Sequence, residues 1–451
     1  MIDTHKSPLQ RISLDDAPLR FFHLRLTIAG TGGQINDGFI LGIIGIAASL
    51  AKGPLHLTSL WLGLLGAASL AGLFVGALIT GPIADRIGRR HIFAWNMLAF
   101  TILSVLQFFV TSAWQLLILR LLLGLILGAD YVVGKTLITE YIPRRIRGRL
   151  LSVLAVAWAT GYVASYLVGY WLHAIGPDSW RWILLSGAVI SALVLVLRQG
   201  IPESPRWLVN HGRHGEAQDA IDRKLGRDIR APEPTDSLES PHVKYRELFN
   251  RGYWRNTMVG MVFYTCQVIP FFALGTFLPQ ILQALHVQDN YLGSTVYNLF
   301  LLSGAIIGLL IVDRLARRVF LIGTFYLFSV PLAIMTFWTS MPPTAAVIVF
   351  GVFALILAAA VNFDYVYPPE LFPTRLRATG VAAAVAASRL GSAGSTFLLP
   401  IVVSRFGVHA ALGACLVVAL IGGVVCHIWA PETRNKNIDS DDSRAMANAP
   451  T

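Results

Sequence analysis

Twelve long apolar runs, separated by short polar stretches, set the rhythm of the chain: residues 25–50, 60–82, 91–111, 114–139, 150–172, 182–198, 256–283, 291–312, 319–340, 345–366, 378–403 and 410–430. A helix of roughly 20 residues covers the roughly 30 Å hydrocarbon core of a bilayer, so each run predicts a membrane-spanning helix. One polar stretch breaks the rhythm. Residues 199–254 contain Pro232, Pro234 and Pro241 and part the first six runs from the last six. Within it Ala217, Ile221 and Leu225 recur every fourth residue among Glu216, Asp219, Asp222, Arg223 and Lys224, which predicts an amphipathic helix on the cytoplasmic face. The expected architecture is all-α, with two pseudo-symmetric six-helix bundles at 1–198 and 255–451 joined by a cytoplasmic linker at 199–254.

Internal duplication supports two bundles. Gly81-Pro-Ile-Ala-Asp85-Arg86-Ile-Gly88-Arg89-Arg90 is echoed by Asp313-Arg314-Leu-Ala-Arg317-Arg318, with Asp85 and Asp313 228 positions apart. Glu140-x-x-Pro143-x-x-x-Arg147 returns 230 positions later as Glu370-x-x-Pro373-x-x-x-Arg377, and Pro202-Glu203-Ser-Pro-Arg206 returns 229 later as Pro431-Glu432-Thr-Arg434. Two copies of one membrane unit are how many secondary transporters build alternating access.

Composition excludes a soluble globule: 55% of residues are hydrophobic, mean hydropathy is +0.61, and only 14% are charged, against roughly 25% in ordinary soluble domains. With the runs threaded back and forth, 30 of the 36 Lys and Arg fall on one side, and only Lys52, Arg181 and Arg405 on the other. Both termini are thereby expected in the cytoplasm. The net charge of +11 reads as topology and lipid-headgroup contact, not nucleic-acid binding. The first 24 residues are polar and carry no cleavable signal, so the first run is its own insertion signal. Cys266, Cys415 and Cys426 lie inside runs and read as small packing residues, with neither disulfide nor metal site implied. No phosphate-binding loop, metal-ligand cluster or nucleophile motif stands out, so no enzyme activity or cofactor is expected and energy must come from an ion gradient.

Gly-x-x-x-Asp-Arg-x-Gly-Arg-Arg at 81–90, the paired Glu-x-x-Pro-x-x-x-Arg loops and Pro-Glu-Ser-Pro-Arg-Trp-Leu at 202–208 resemble the major facilitator superfamily, in its sugar-porter and metabolite:proton symporter branch. The resemblance covers nearly the whole chain. It implies a twelve-helix fold, active as a monomer, in which substrate sits near the midplane between two rocking bundles. Gly128-Ala-Asp130-Tyr131 resembles the Gly-Asp-Tyr-Pro of phosphate and related metabolite:proton symporters, which implies proton coupling at Asp130 and a substrate-facing Tyr131; Val132 stands where Pro is usual. Arg120-x-x-x-Gly124 resembles another motif of proton-coupled members, although Arg120 lies near the outer end of its run, within snorkelling reach of the interface. Sugar porters carry a paired Gln-Gln where this chain has Cys266-Gln267, and the Gly-Pro-Gly of drug antiporters is missing at Gly161 and Gly169. Neither sugar specificity nor efflux therefore carries over.

The residues themselves suggest chemistry. Asp85, Arg86, Arg89, Arg90, Glu140 and Arg147, repeated as Asp313, Arg314, Glu370 and Arg377, place opposite charges at cytoplasmic helix ends, where they can latch one half to the other in an outward-open state and separate in an inward-open one. Asp37, mid-run within Gly32-Gly33-Gln34-Ile-Asn36-Asp37-Gly38, is a carboxyl at a depth where it must be protonated, paired or hydrated, which suits a proton carrier in a small-residue stretch lining a cavity. Lys135, five residues beyond Asp130, is placed to reach Asp37 or Glu140. Arg389 stands deep in the eleventh run, suited to a carboxylate or phosphate unless Asp364 takes it. Trp158, Tyr264, Gln267, Asn298 and Asn362 complete the candidate substrate groups, with a helix break expected at Pro270. The reading is a proton-coupled importer of a small polar metabolite in a bacterial inner membrane. An organic acid, aromatic given Trp158, Tyr162 and Tyr264, stands ahead of a sugar, and both ahead of a nutrient sensor, for which the tail is short.

Overall fold

The structure is a computed structural model that describes residues 11–233, 245–250, 252–311, 314–372 and 374–433. Pro234, Pro241, Asp313, Pro373 and Arg434 lie outside the described residues. The first half consists of α1 (Phe21–Ala51), α2 (Ser59–Ile87), α3 (Arg89–Phe108), α4 (Ala113–Tyr141), α5 (Arg144–Leu172) and α6 (Ser179–Arg198). In the linker lie α7 (Pro205–Asn210) and α8 (His214–Lys224). The second half runs α9 (Trp254–Thr276), α10 (Leu278–Ala284), α11 (Asn290–Ile311), α12 (Arg317–Phe337), α13 (Pro343–Val361), α14 (Phe363–Glu370), α15 (Thr374–Phe406) and α16 (Val408–Trp429). Among the described residues, twelve helical segments are long and apolar enough to cross a membrane.

Two of the runs are broken, and not where the sequence suggested. Helix α9 continues through Pro270 and stops at Thr276, with Phe277 outside helical geometry. The cause is Pro279, whose missing N–H leaves the carbonyl of Gly275 without its intrahelical donor. The Tyr166 hydroxyl of α5 donates to that carbonyl instead. The tenth run divides at Asn362 into α13 and α14, and the Asn362 amide donates to the carbonyl of Ala305 on α11 at 3.1 Å. Breaks at membrane depth persist where neighbouring helices take over the freed groups.

Within the first half α1 packs on α5 and α6, α2 on α4, and α3 on α6; within the second, α9 packs on α15 and α11 on α13. The halves meet through α2 on α15 and α5 on α11. Close approaches between them lie on the face away from the linker: Gly45 against the Thr276 carbonyl, Gly63 against Phe397, and His173 stacked on Tyr291 at 4.9 Å.

The small residues around Asp37 pack helices instead of lining a cavity. Gly38 abuts the backbone of Trp158 and Tyr162, while Gly161 of α5 abuts that of Ile35 in return. A methyl at either point meets backbone that cannot swing aside. Gly38→Ala is expected to destabilise by on the order of 1–3 kcal/mol through forced separation of α1 and α5. Gly81→Ala, whose Cβ would meet nothing within 4 Å, is the control. Thermal melting of the detergent-solubilised proteins compares them, and equal stability would contradict the packing.

The amphipathic pattern in the linker forms α8, but its apolar face is buried in protein. Ile221, Leu225 and Ile229 cluster with Leu14 and Ala17 from ahead of α1, with Phe22 of its first turn and with Leu150 of α5. A two-residue strand, β1 (Ile12–Ser13), pairs in parallel with β2 (Ile229–Arg230) to strap the N-terminal segment onto the linker. Asp15 completes the strap by accepting from Arg147 and Arg206, each at 2.8 Å. Partial burial alone would raise the Asp15 carboxyl, but the bonds and charges of Arg147 and Arg206 outweigh it and hold the group below its ordinary 3.8. A depressed carboxyl contributes fully above that ordinary value and loses its contribution as pH falls through the lowered one. The strap should thus hold unchanged between pH 7 and 5, whereas Asp15→Asn should speed amide exchange at Ile12 at pH 7. Exchange insensitive to the substitution would show that β1 needs no ionic tie.

Candidate functional site

The charged motifs assemble on the linker face as two matching clusters. In the first half Arg89 reaches Glu140 at 3.1 Å and Asp85 at 3.4 Å, and Ser204 donates to Glu140. Glu203 accepts from the backbone N–H groups of Arg89 and Arg90, both at 3.0 Å, where α3 begins. In the second half Arg317 reaches Glu370 at 3.3 Å, Thr433 donates to Glu370 at 2.6 Å, and Glu432 accepts from the N–H groups of Arg317 and Arg318 at 2.9 and 3.0 Å. A carboxylate at a helix start meets its free N–H groups and its positive dipole end. Glu203 and Glu432 belong to a repeated motif whose capping role the charge pattern alone does not show; Arg317 is the partner of Glu370.

These pairs stay within a half; the interdomain latch read from the sequence belongs to the outward-open state and is not made by them in this conformation. Arg86, Arg90 and Arg314 are exposed. Arg147 turns to Asp15 and to the Ile142 carbonyl at 3.1 Å, and the half-buried Arg377 has no hydrogen-bond partner for its Nε among the described residues. The halves are thus closed on the face away from the linker, while each charge cluster is satisfied locally.

Deep in the first half, Asp37 is fully buried and accepts from Gln34 at 3.2 Å through Oδ2, its Oδ1 having no hydrogen-bond partner. Asp130 lies across from it with both oxygens on Arg198, at 2.5 and 2.9 Å. By position alone Arg198 counts among the linker-side topology charges. Instead it ends α6 buried, its guanidinium 3.8 Å over the Phe93 ring and donating to the Phe93 carbonyl at 2.9 Å. Arg120 does not snorkel. It is fully buried and donates to the Ile40 carbonyl at 2.9 Å, because α4 packs tightly on α2 through Gly124 and Gly128 and turns this face inward. Lys135 Nζ lies 4.7 Å over the Tyr131 ring.

Where the halves face each other, Tyr131, Trp158, Tyr264, Val268, Phe271, Phe272, Val361, Asp364 and Arg389 line a cavity of about 40 Å³. Arg389 stands 5.7 Å from the same Tyr131 ring that Lys135 covers, so two cations from different halves share one aromatic ring. Trp158 stacks on Tyr162 at 5.5 Å and touches Phe271. A space this small holds little more than water, so a metabolite enters only as the aromatic wall opens. Four of the expected substrate groups, Tyr131, Trp158, Tyr264 and Arg389, come together here; three do not. Asn362 spends its amide on backbone carbonyls, Asn298 donates to the Ser294 carbonyl at 2.8 Å, and Gln267 is buried outside the cavity lining with neither amide atom hydrogen-bonded. Asp364, considered from sequence only as a rival partner for Arg389, is a wall residue in its own right. A wider vestibule of about 690 Å³, lined among others by Ser49, Lys52, Gln280, Tyr291 and Ser404, opens on the opposite face from the linker.

A profile of the family described as "Sugar (and other) transporter" matches residues 26–442. The chain belongs to that family. Its relatives include the inner membrane metabolite transport protein YgcS of Escherichia coli K12, 40% identical over 94% of both chains. The niacin transporter NiaP of Acinetobacter baylyi is 27% identical over 95% of this chain and 98% of its own. In fold, the transporter superposes on a partially occluded inward-open conformation of the xylose transporter XylE from E. coli with a TM-score of 0.78 at 20% identity, covering 93% of this chain and 100% of that one. It is therefore a membrane-spanning transporter of the major facilitator superfamily, with that superfamily's twelve-helix fold, and not an enzyme.

Proposed function

We propose that this transporter imports a small organic acid, aromatic by preference, in symport with a proton. It acts as a monomer in a bacterial inner membrane, with the linker face in the cytoplasm. The positive-inside distribution supports that orientation, and closure on the opposite face corresponds then to an inward-facing state. The observation that carries the substrate class is Arg389, a buried guanidinium on an aromatic cavity wall. A planar fork of donors suits a carboxylate, and Trp158, Tyr264 and Phe271 suit a ring. Niacin, named for the A. baylyi relative, is an aromatic carboxylate. Asp37 carries the proton and Asp130 serves as its charged neighbour.

A sugar is the second reading, favoured by the buried and unpartnered amide of Gln267. Thermal stabilisation of the purified protein by nicotinate, benzoate, xylose and glucose separates the two. Stabilisation by an acid and not by the sugars is expected; the reverse would replace the organic-acid reading.

A further inference from the structure

We infer that Arg198 is a positioning residue for proton coupling: it holds Asp130 ionised as a fixed counter-charge and so leaves Asp37 as the carboxyl that loads and releases the proton. The inference rests on the proton-symport reading. The two acids sit in unlike settings. Asp130 gives both oxygens to one guanidinium, which is itself fixed by the Phe93 carbonyl and ring. Arginine does not lose its proton in proteins, and neutralising Asp130 would break two charge-assisted bonds and strand a buried cation. Asp37 has one bond, from Gln34, and an unpartnered oxygen. A proton on that oxygen breaks nothing.

The pair is also close enough to act on Asp37. A methyl on Gly33 would collide with the Arg198 guanidinium and touch Asp130, so α1 leans directly on the ion pair, and Asp37 follows Gly33 by one turn on the same helix face. The charged groups acting on Asp37 are Asp130 and Lys135 of α4 and Arg198 of α6. Arg120 lies a turn further along, on the Ile40 carbonyl, and Arg389 of α15 shares Tyr131 with Lys135. Intact, the pair is nearly neutral toward Asp37; halved, it becomes a full charge of either sign. A purely structural pair would not require this: apolar residues of similar volume often replace buried ion pairs without loss of stability.

Infrared difference spectra of the purified full-length transporter, titrated with acid and base and without substrate, read buried carboxylic acids directly. The wild type should show a titrating acid band that Asp37→Asn removes and Asp130→Asn keeps. The midpoint of that band should move to lower pH by about one unit in Asp130→Asn, where Arg198 is uncompensated, and to higher pH by a similar amount in Arg198→Gln. The double variant Asp130→Asn/Arg198→Gln should return near the wild-type midpoint. Should Arg198→Gln not fold, Arg198→Lys is expected to keep the midpoint within a few tenths, and the Asp130→Asn shift still decides. A band lost in Asp130→Asn but kept in Asp37→Asn, or single variants with unmoved midpoints, would overturn the assignment while leaving proton coupling intact. If neither Asn substitution removes a band, the proton-symport reading fails together with it.

Discussion

Asp37→Asn should turn a carrier that concentrates its substrate into one that only equilibrates it. The substitution preserves size and the contact with Gln34 but removes the carboxyl proposed to carry the proton. Exchange of labelled for unlabelled substrate across the membrane needs only the loaded carrier to reorient, and the amide resembles the protonated acid, so counterflow should persist. Uphill movement needs the proton to be released on the far side of the cycle, and a side chain that cannot release it cannot couple. With one proton per substrate, a one-unit pH gradient corresponds to about 1.4 kcal/mol, or a tenfold concentration ratio. Wild-type proteoliposomes should approach that ratio for an acid, and the Asn variant should stop near unity. Tenfold accumulation by the variant would remove Asp37 from the coupling step.

Arg389→Gln is expected to weaken binding of an anionic substrate by roughly 10–100-fold, since a hydrogen bond to a charged group contributes about 1.5–3 kcal/mol. Arg389→Lys should restore only part of it: a point charge remains, but the two-point planar contact does not. Asp364, on the same cavity wall, should then carry an effect of the opposite sign, because Asp364→Asn leaves Arg389 with less competition for its charge. Direct binding by isothermal titration calorimetry reads all three. A fully folded Arg389→Gln protein with unaltered affinity would transfer support to the sugar reading.

The fold was largely legible, because membrane insertion writes itself into sequence as apolar run length, and the 228–230-residue offset writes the two halves. The helix breaks were less so. Pro270 looked like the breaker of the seventh run, but helix α9 passes through it, while Pro279 breaks the run because Tyr166 is present to receive the freed Gly275 carbonyl; such a partner is set by tertiary packing. The cavity cations and aromatics were legible as polar and aromatic groups set within apolar runs. Arg198 was not: at the seam between the sixth run and the linker it looked like any other topology charge, and only the fold brings it to Asp130. Gly33 and Gly38 pack against neighbouring helices although their run also suits a cavity, since small residues in a polar run serve helix contact as readily as cavities. The linker-face charges were legible as opposite pairs, but their grouping within each half depends on Glu203, Ser204, Glu432 and Thr433, which lie outside the Asp-Arg and Glu-Arg motifs.

The most direct test of proton-coupled organic-acid import is uptake of radiolabelled nicotinate and benzoate, beside xylose, into proteoliposomes with an inside-alkaline pH gradient and the membrane potential clamped at zero by valinomycin and equal potassium. A monocarboxylate moving with one proton carries no net charge, so the pH gradient alone should drive an acid to about tenfold per pH unit, at an initial rate well above the passive entry of the neutral acid into protein-free liposomes, and a protonophore should collapse the accumulation. Uptake of an acid that ignores both the gradient and the protonophore, or accumulation of xylose with none of the acids, would contradict the account.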